Sequence, residues 1–375
     1  MKVLIKLVGL RSGGIETLVV KTSEQLQNFG LEFDFLTDKK KTEFYDQKLK
    51  DLHINKYALG LNLIPKYKMP VQKILGMYKI VKENQYDVVH INESVLHSVM
   101  SAFVCRMAGV KKIIVHSHTN SKNDIHNFSW HMNGILKKMV AILATDYIAC
   151  SMHAAEWAFP KKLIKEGKVK ILNNGIDVDK FSFDLNVRKK VRYELNIKED
   201  EILIGHVGRF VYQKNQEFII EIAKELYQSG IRNIKILLVG EGELVETIRS
   251  RIREYHLENY IILYGASENI SELLQGMDLF LFPSRCEGLG IVAVEAQAAG
   301  LMVIASNNVP EEAKLTPLFK QYDLSIGASE WARKLLCELK ALPERKKMDQ
   351  YIINGNYDFS TTVSCLYSIY TGEIL

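Results

Sequence analysis

The segment Ser284-Arg285-Cys286-Glu287-Gly288-Leu289-Gly290-Ile291-Val292-Ala293-Val294-Glu295-Ala296 joins two features that chemistry on a phosphate ester needs. It follows the apolar run Leu279–Phe282 and leads into a helical pattern that ends near Gly300. Glycines at a strand-to-helix junction let a ligand approach the backbone, and the first turn of the helix offers unpaired N–H groups to phosphate. Glu287 sits at the mouth of the junction, with Glu295 about two turns further along and on a similar side. Carboxylates repel phosphate, so two of them beside a phosphate cradle suit hydrogen bonding to sugar hydroxyls. Taken alone, the same spacing also fits an N-terminal cap and a surface acid.

Two further segments carry cations or glycines after an apolar run. In His206-Val207-Gly208-Arg209-Phe210-Val211-Tyr212-Gln213-Lys214-Asn215, an arginine follows the glycine and a lysine follows five residues later. The planar fork of the one and the point charge of the other suit a diphosphate, although cations in loops are ordinarily just solvated. Gly9-Leu10-Arg11-Ser12-Gly13-Gly14-Ile15-Glu16 opens a helix directly after the first strand. It has neither the G-x-G-x-x-G spacing of a dinucleotide site nor the G-K-[ST] of a P-loop.

The elements that must position these segments read as two α/β halves. Val3–Val8, Leu31–Leu36, Asp87–Ile91, Lys112–His116 and Asp146–Cys150 have the character of buried parallel strands, with helical stretches between them. The pattern restarts with Ile202–Val207, Ile234–Val239, Ile261–Tyr264, Leu279–Phe282 and Met302–Ala305. A chain of 375 residues suits two such domains. The boundary is placed near residue 180, after the turn-rich Leu172-Asn173-Asn174-Gly175-Ile176-Asp177. The stretch Asp358–Tyr370 has apolar residues at helical spacing and is expected to form a closing helix. The five scattered cysteines show no C-x-x-C spacing, which argues against a disulfide framework or a thiolate zinc site. Lys6 interrupts the first apolar run, so that run reads as a strand rather than a signal peptide. No stretch approaches the roughly 18 consecutive apolar residues that span a bilayer, and a soluble, cytoplasmic protein is expected.

Collinear strings over nearly the whole chain resemble the retaining family-4 glycosyltransferases of the GT-B fold. Gly13-Gly14-Ile15-Glu16 looks like that family's acceptor-side glycine loop, and Asn174-Gly175-Ile176-Asp177 like its inter-domain turn. Gly208-Arg209 with Lys214 resembles its diphosphate clamp, Val239-Gly240-Glu241-Gly242 its second glycine turn, and Pro283-Ser284 through Glu295 its acidic signature. The resemblance implies two Rossmann-like doubly wound domains facing one another across a cleft. Residues 1–180 would form the acceptor side, joined by a closing helix over 358–375 that crosses back, and residues 181–357 would bind the donor.

By the same resemblance, Arg209 and Lys214 hold the donor diphosphate and stabilise charge on the leaving nucleotide. Glu295 accepts hydrogen bonds from the ribose. Glu287 contacts the transferred sugar, helped by the backbone N–H groups of Gly288, Leu289, Gly290 and Ile291. Ser117-His118-Thr119 resembles the family's histidine at the end of a strand of the first domain, and aligning the strand ends favours His118 over His116. Gly13 and Gly14 belong to the acceptor or phosphate loop. The implied reaction is a retaining transfer in which the leaving phosphate assists deprotonation of the acceptor, so Glu287 is not assigned as a nucleophile. No metal or other cofactor is expected. Asp177-Val178-Asp179 is a D-x-D string, but it belongs to the hinge turn.

Charge points to a surface. Residues 1–180 hold 27 Lys/Arg against 17 Asp/Glu, and the remainder of the chain 22 against 27. Val71–Lys82 and Trp130–Ala144 interleave lysines with apolar residues, as helices resting on anionic lipid do, and peripheral contact with the inner face of a membrane is expected. No nucleic-acid motif accompanies the charge. The expected partners are a nucleotide sugar, which the resemblance implies to be a uridine diphosphate conjugate, and a lipid-linked saccharide acceptor in cell-surface polysaccharide synthesis. The transferred unit would be a hexose or an N-acetylhexosamine. The alternatives are a nucleotide-sugar epimerase or phosphorylase of the same architecture, a nicotinamide-dependent dehydrogenase, and a catalytically silent nucleotide-sugar-binding subunit. Gly300-Leu301-Met302 lacks the proline common after that glycine, and Asn307-Asn308-Val309-Pro310-Glu311 replaces a glycine-rich turn.

Overall fold

The computed structural model describes residues 1–11, 13–118 and 130–375, with side chains of the helix Trp130–Leu143 described from residue 134 onward. Ser12 of the glycine loop, Thr119 of the histidine string and the side chains of residues 130–133 in the basic stretch Trp130–Ala144 therefore lie outside the described residues. The chain divides into two compact units, Met1–Gly175 with Ser360–Leu375, and Ile176–Phe359.

In the first unit a parallel sheet is formed by β1 (Lys2–Leu7), β2 (Glu32–Thr37), β3 (Asn55–Ala58), β4 (Val88–Asn92), β5 (Lys112–Ser117), β6 (Asp146–Ala149) and β7 (Val169–Ile171). Their spatial order is β3-β2-β1-β4-β5-β6-β7. The second unit repeats the plan with β8 (Ile202–Val207), β9 (Ile234–Val239), β10 (Ile261–Gly265), β11 (Leu279–Phe282), β12 (Met302–Ser306) and β13 (Phe319–Tyr322), in the order β10-β9-β8-β11-β12-β13. Every residue of β4, β11 and β12 is buried, because helices cover both faces of the sheet and no face is left for polar side chains.

Each sheet reverses its winding direction once, between β1 and β4 and between β8 and β11. Connections leave in opposite directions at these places, so the carboxyl ends of the two strands open a crevice where ligands bind in such sheets. The register puts Leu7 opposite Asn92 at the first switch point. It pairs Leu279 with Ile204 and Phe280 with Gly205 at the second.

Three short strands, β3, β7 and β13, were not expected from the sequence. Each contains exposed or half-buried polar residues because it lies at a sheet edge. The helix expected around Glu295 begins only at Ile291. Gly290 has a left-handed backbone (φ 81°), which ends the turn before the helix starts, so Glu295 lies about one turn in rather than two. Asp177 caps the helix Val178–Phe181 by accepting from the Lys180 N–H at 3.2 Å.

The helix Phe359–Thr371 brings Tyr370 into the first unit, where Lys112 Nζ donates to its carbonyl oxygen at 3.3 Å. Thr362 ties its start down. Its hydroxyl accepts from the Gly175 N–H and donates to the Asn173 carbonyl, both at 3.0 Å.

Candidate functional site

At the switch point of the second unit, the loop after β8 and the loop after β11 are stitched to each other. The Arg285 N–H donates to the Gln213 carbonyl at 2.8 Å, and the Gln213 amide donates to the Cys286 carbonyl at 2.8 Å. Asn215 Nδ2 donates to the Pro283 carbonyl at 2.9 Å. These bonds bring Lys214 Nζ to 2.7 Å from Glu287 Oε1 and to 4.9 Å from the centroid of the Phe282 ring. Both side chains of this ion pair are largely shielded, so it is more than a solvated surface contact.

The neighbouring groups are polar and neutral. His206 Nδ1–H donates to the Leu281 carbonyl at 2.9 Å, leaving Nε2 to accept from Gln216 Nε2 at 3.3 Å. Burial, with a further push from Lys214, holds this imidazole at about 4 although the bond to Leu281 opposes the shift. Gln216 also donates to the Arg209 carbonyl at 2.8 Å, which fixes the backbone while the Arg209 side chain stands exposed. The buried Ser284 hydroxyl has no hydrogen-bond partner among the described residues.

Glycines shape this floor in two ways. A Cβ on Gly290 would lie 2.7 Å from the Phe282 ring, which keeps the turn before the helix Ile291–Ala298 open, and no side chain caps that helix. Gly240 and Gly242 serve packing. A Cβ on them would lie 2.1 Å from the Gly208 carbonyl oxygen and 2.4 Å from that of Phe210. The second glycine turn is thus the bed on which the Arg209 loop rests.

The first unit holds a cavity of about 180 Å³ at its own switch point. Leu7, Val8 and Gly9 after β1, Asn92 and Glu93 after β4, and Ser117 and His118 after β5 line it, with Ile15, Glu16 and Trp157. Gly13 and Gly14 stand at the start of the helix Gly14–Gln27 and do not line this cavity. Of the two candidate histidines, His118 lines it, whereas His116 is buried in the sheet with its Nδ1 3.2 Å from His90 Nε2.

A buried charge network fixes the cavity wall. Glu93 Oε1 lies 3.0 Å from Lys6 Nζ and 2.8 Å from Lys73 Nζ, and its other oxygen accepts from the Ser101 hydroxyl. Lys6 also pairs with Asp38 at 2.7 Å. Burial alone would raise the Glu93 pKa, but the two ammonium groups outweigh it and hold the carboxyl at about 2. Sequence reasoning passed over Glu93, Asn92 and Lys73. The available signal was Lys6, since a lysine inside a buried strand requires a carboxylate nearby.

The basic helices named from the sequence are Met69–Asn84 and Trp130–Leu143, and Val95–Ala108 packs against both. Val71, Leu75 and Tyr78 on the first, Leu96, Phe103 and Met107 on the middle one, and Ile135, Met139 and Ile142 on the last are exposed at one-face spacing. Leu75 is 62% and Ile142 73% exposed, values far above a core stripe. Among the described residues no helix is long and apolar enough to cross a membrane, and no cluster of at least three His, Cys, Asp or Glu is arranged to hold a metal ion.

Comparison with known proteins matches residues 12–180 to the family described as Glycosyltransferase Family 4 and residues 187–322 to Glycosyl transferases group 1. The EpsF protein of Bacillus subtilis is 29% identical over 98% of this chain and 96% of its own length. The capsular polysaccharide biosynthesis glycosyltransferase CapH of Staphylococcus aureus is 27% identical over 98% and 97%. The UDP-Gal:alpha-D-GlcNAc-diphosphoundecaprenol alpha-1,3-galactosyltransferase of Escherichia coli is 24% identical over 81% and 78%. Among solved structures, HepE of Anabaena in complex with UDP-glucose superposes with a TM-score of 0.78 at 18% identity, covering all of both chains.

Proposed function

The chain belongs to the family-4 glycosyltransferases of the GT-B fold, and from that premise we propose that it transfers a hexosyl or N-acetylhexosaminyl unit from a uridine diphosphate sugar to a lipid-linked saccharide during cell-surface polysaccharide synthesis, with retention of configuration. The observation that carries the reading is the Lys214–Glu287 pair at the β8/β11 switch point, with Arg209 exposed beside it. A cation held on a carboxylate next to an uncapped helix start suits a ligand that is anionic at one end and hydroxylated at the other. UDP-linked donors and a lipid-diphosphate acceptor appear in the names of the Escherichia coli relative and of the HepE complex, which supports this choice of substrates.

In this reading Arg209 and Lys214 neutralise charge as it develops on the departing diphosphate, and the N–H groups of residues 288–291 add to that stabilisation. Glu287 hydrogen-bonds the transferred sugar while holding Lys214, and Glu295 holds the ribose. His118, in the cavity of the first unit, receives a hydroxyl of the acceptor. The leaving phosphate takes the acceptor proton, so neither a protein nucleophile nor a metal is required. The exposed apolar faces of the three neighbouring helices, with Lys79, Lys82, Arg106 and Lys138 exposed around them, suit the anionic surface where a lipid-linked acceptor resides.

The test is a thermal-shift series with UDP, GDP, ADP and their sugar conjugates without added metal, followed by transfer from the selected donor to lipid extracts. A shift selective for uridine nucleotides and an α-linked product from an α-linked donor is expected. Nucleotide binding without transfer to any lipid acceptor would favour a silent subunit, and selectivity for GDP would overturn the donor class.

A further inference from the structure

The environment of His118 fixes which of its nitrogens bears the proton. Asn92 Nδ2 donates to the His90 carbonyl at 3.4 Å, which turns Oδ1 toward His118 Nε2 at 2.7 Å. A carboxamide oxygen only accepts, so the proton sits on Nε2. A neutral imidazole carries one such proton, and Nδ1 is therefore a bare acceptor. That atom has no hydrogen-bond partner among the described residues.

A second chain lies against the ring. The Tyr370 hydroxyl is 2.6 Å from His90 Nδ1 and has no other partner among the described residues, so its proton is directed to that nitrogen. His90 then carries its proton on Nε2 and donates to His116 Nδ1 at 3.2 Å. The His116 ring lies against that of His118, with centroids 3.8 Å apart and planes tilted by 37°. Among the described residues no carboxylate hydrogen-bonds any of the three rings, in contrast to arrangements where an aspartate orients a histidine and stabilises its cation.

We propose that Asn92 is a positioning residue that holds His118 as the neutral Nε2–H imidazole, presenting Nδ1 as acceptor for a hydroxyl of the ligand, and that the Tyr370–His90–His116 chain supports the same arrangement from within the sheet. The identity of that hydroxyl rests on the glycosyl-transfer reading, whereas the proton placement does not. Glu16, on the helix Gly14–Gln27, and Glu93, already paired with Lys6 and Lys73, are the charged groups lining the same cavity, and Trp157 and Ser117 face it uncharged. An amide at position 92 keeps an acceptor on the ring near neutral pH, and a carboxylate there would favour the imidazolium and remove it.

The experiment uses the full chain labelled with 15N-histidine, with His118 assigned by its loss in His118→Gln, and compares wild type with Asn92→Asp and Tyr370→Phe. Wild-type His118 is expected to read as Nε2-protonated and neutral from pH 8 to 5. Asn92→Asp should protonate both nitrogens within that range. Its transfer rate should then fall about tenfold per pH unit below the new pKa and recover above it. Tyr370→Phe should shift the His116 signal and lower kcat with the nucleotide-induced thermal shift unchanged. A wild-type imidazolium or Nδ1-protonated ring at pH 7, or an Asn92→Asp variant with unchanged spectrum and pH profile, overturns the proposal. Failure of sugar transfer alone leaves the spectra to decide it, so the two readings fail separately.

Discussion

Lys214 and Glu287, 73 positions apart in the chain, meet at 2.7 Å across the β8/β11 switch point. The lysine is held in place before any donor arrives, and its charge is partly spent on the carboxylate. Removing each partner should therefore do different things. Lys214→Ala removes the proposed phosphate ligand and strands a shielded carboxylate, so nucleotide affinity and transfer should both fall. Glu287→Gln frees the ammonium, so affinity for UDP should hold or rise while kcat drops on the order of 10²–10³. Titration calorimetry with UDP beside steady-state kinetics separates the two, and equal losses of UDP affinity in both variants would refute this division of labour.

Arg209 is exposed and makes no ion pair among the described residues, so its side chain adds little to folding. Arg209→Ala should leave the melting temperature within about a degree of wild type. A lost charge-assisted bond to the diphosphate is worth about 1.5–3 kcal/mol, which weakens donor binding roughly 10- to 150-fold. A large drop in melting temperature without nucleotide would show that the arginine is structural.

The Gly240 Cα faces the Gly208 carbonyl so closely that no Cβ fits, and its φ of 137° lies outside the range of L side chains. Gly230 is also left-handed, at 83°, but has nothing within 4 Å. Gly240→Ala should destabilise the second unit by several kcal/mol and abolish the nucleotide-induced shift, whereas Gly230→Ala should cost about 1 kcal/mol and keep it. Chemical denaturation of the two variants side by side measures the difference.

The sheets were legible because most of their strands are continuous apolar runs, a pattern set by helices on both faces. β3, β7 and β13 escaped because Asn55-Lys56-Tyr57-Ala58, Val169-Lys170-Ile171 and Phe319-Lys320-Gln321-Tyr322 are short edge strands with polar positions, and three or four residues carry no readable period. The β8 and β11 loops were legible through their glycine and charge spacing. The wall of the first cavity was not, because Lys6, Lys73 and Glu93 come from three elements and neutralise one another only once folded. Phe103 and Met107 were missed for a related reason: Val95–Ala108 is apolar nearly all round, so its exposed stripe emerges only when the neighbouring helices are placed.

That stripe gives a surface prediction. The paired substitution Phe103→Asp and Ile142→Asp changes two exposed side chains and should leave folding and nucleotide binding intact. Co-sedimentation with vesicles rich in phosphatidylglycerol should fall at least tenfold relative to wild type. Wild-type binding should weaken in 0.5 M salt, because the basic rim is screened while the apolar contact is not. Equal recovery of both proteins on anionic vesicles would remove these helices from the membrane reading.

Acid should act on the histidines before it reaches the carboxylates. Burial holds His90 and His118 at about 3 and His206 at about 4, and it lowers His116 well below the ordinary value. In the unfolded chain each titrates near 6.5, so between that pH and the folded pKa the unfolded state binds protons that the native state refuses. Stability is therefore greatest above about pH 6.5 and is lost as pH falls, by up to about 1.4 kcal/mol per pH unit for each histidine. Glu93, depressed to about 2, contributes stability present above its unfolded value of about 4.3 and lost only as pH falls toward 2, which leaves the range from 6.5 to 5 to the imidazoles. The first unit carries three of these four groups and the second only His206, so calorimetry at pH 7, 6 and 5 should show the first unit's transition moving down faster. His116→Asn should flatten that unit's slope by about one proton, and a melting profile unchanged between pH 7 and 5 would mean that these rings take up protons without unfolding.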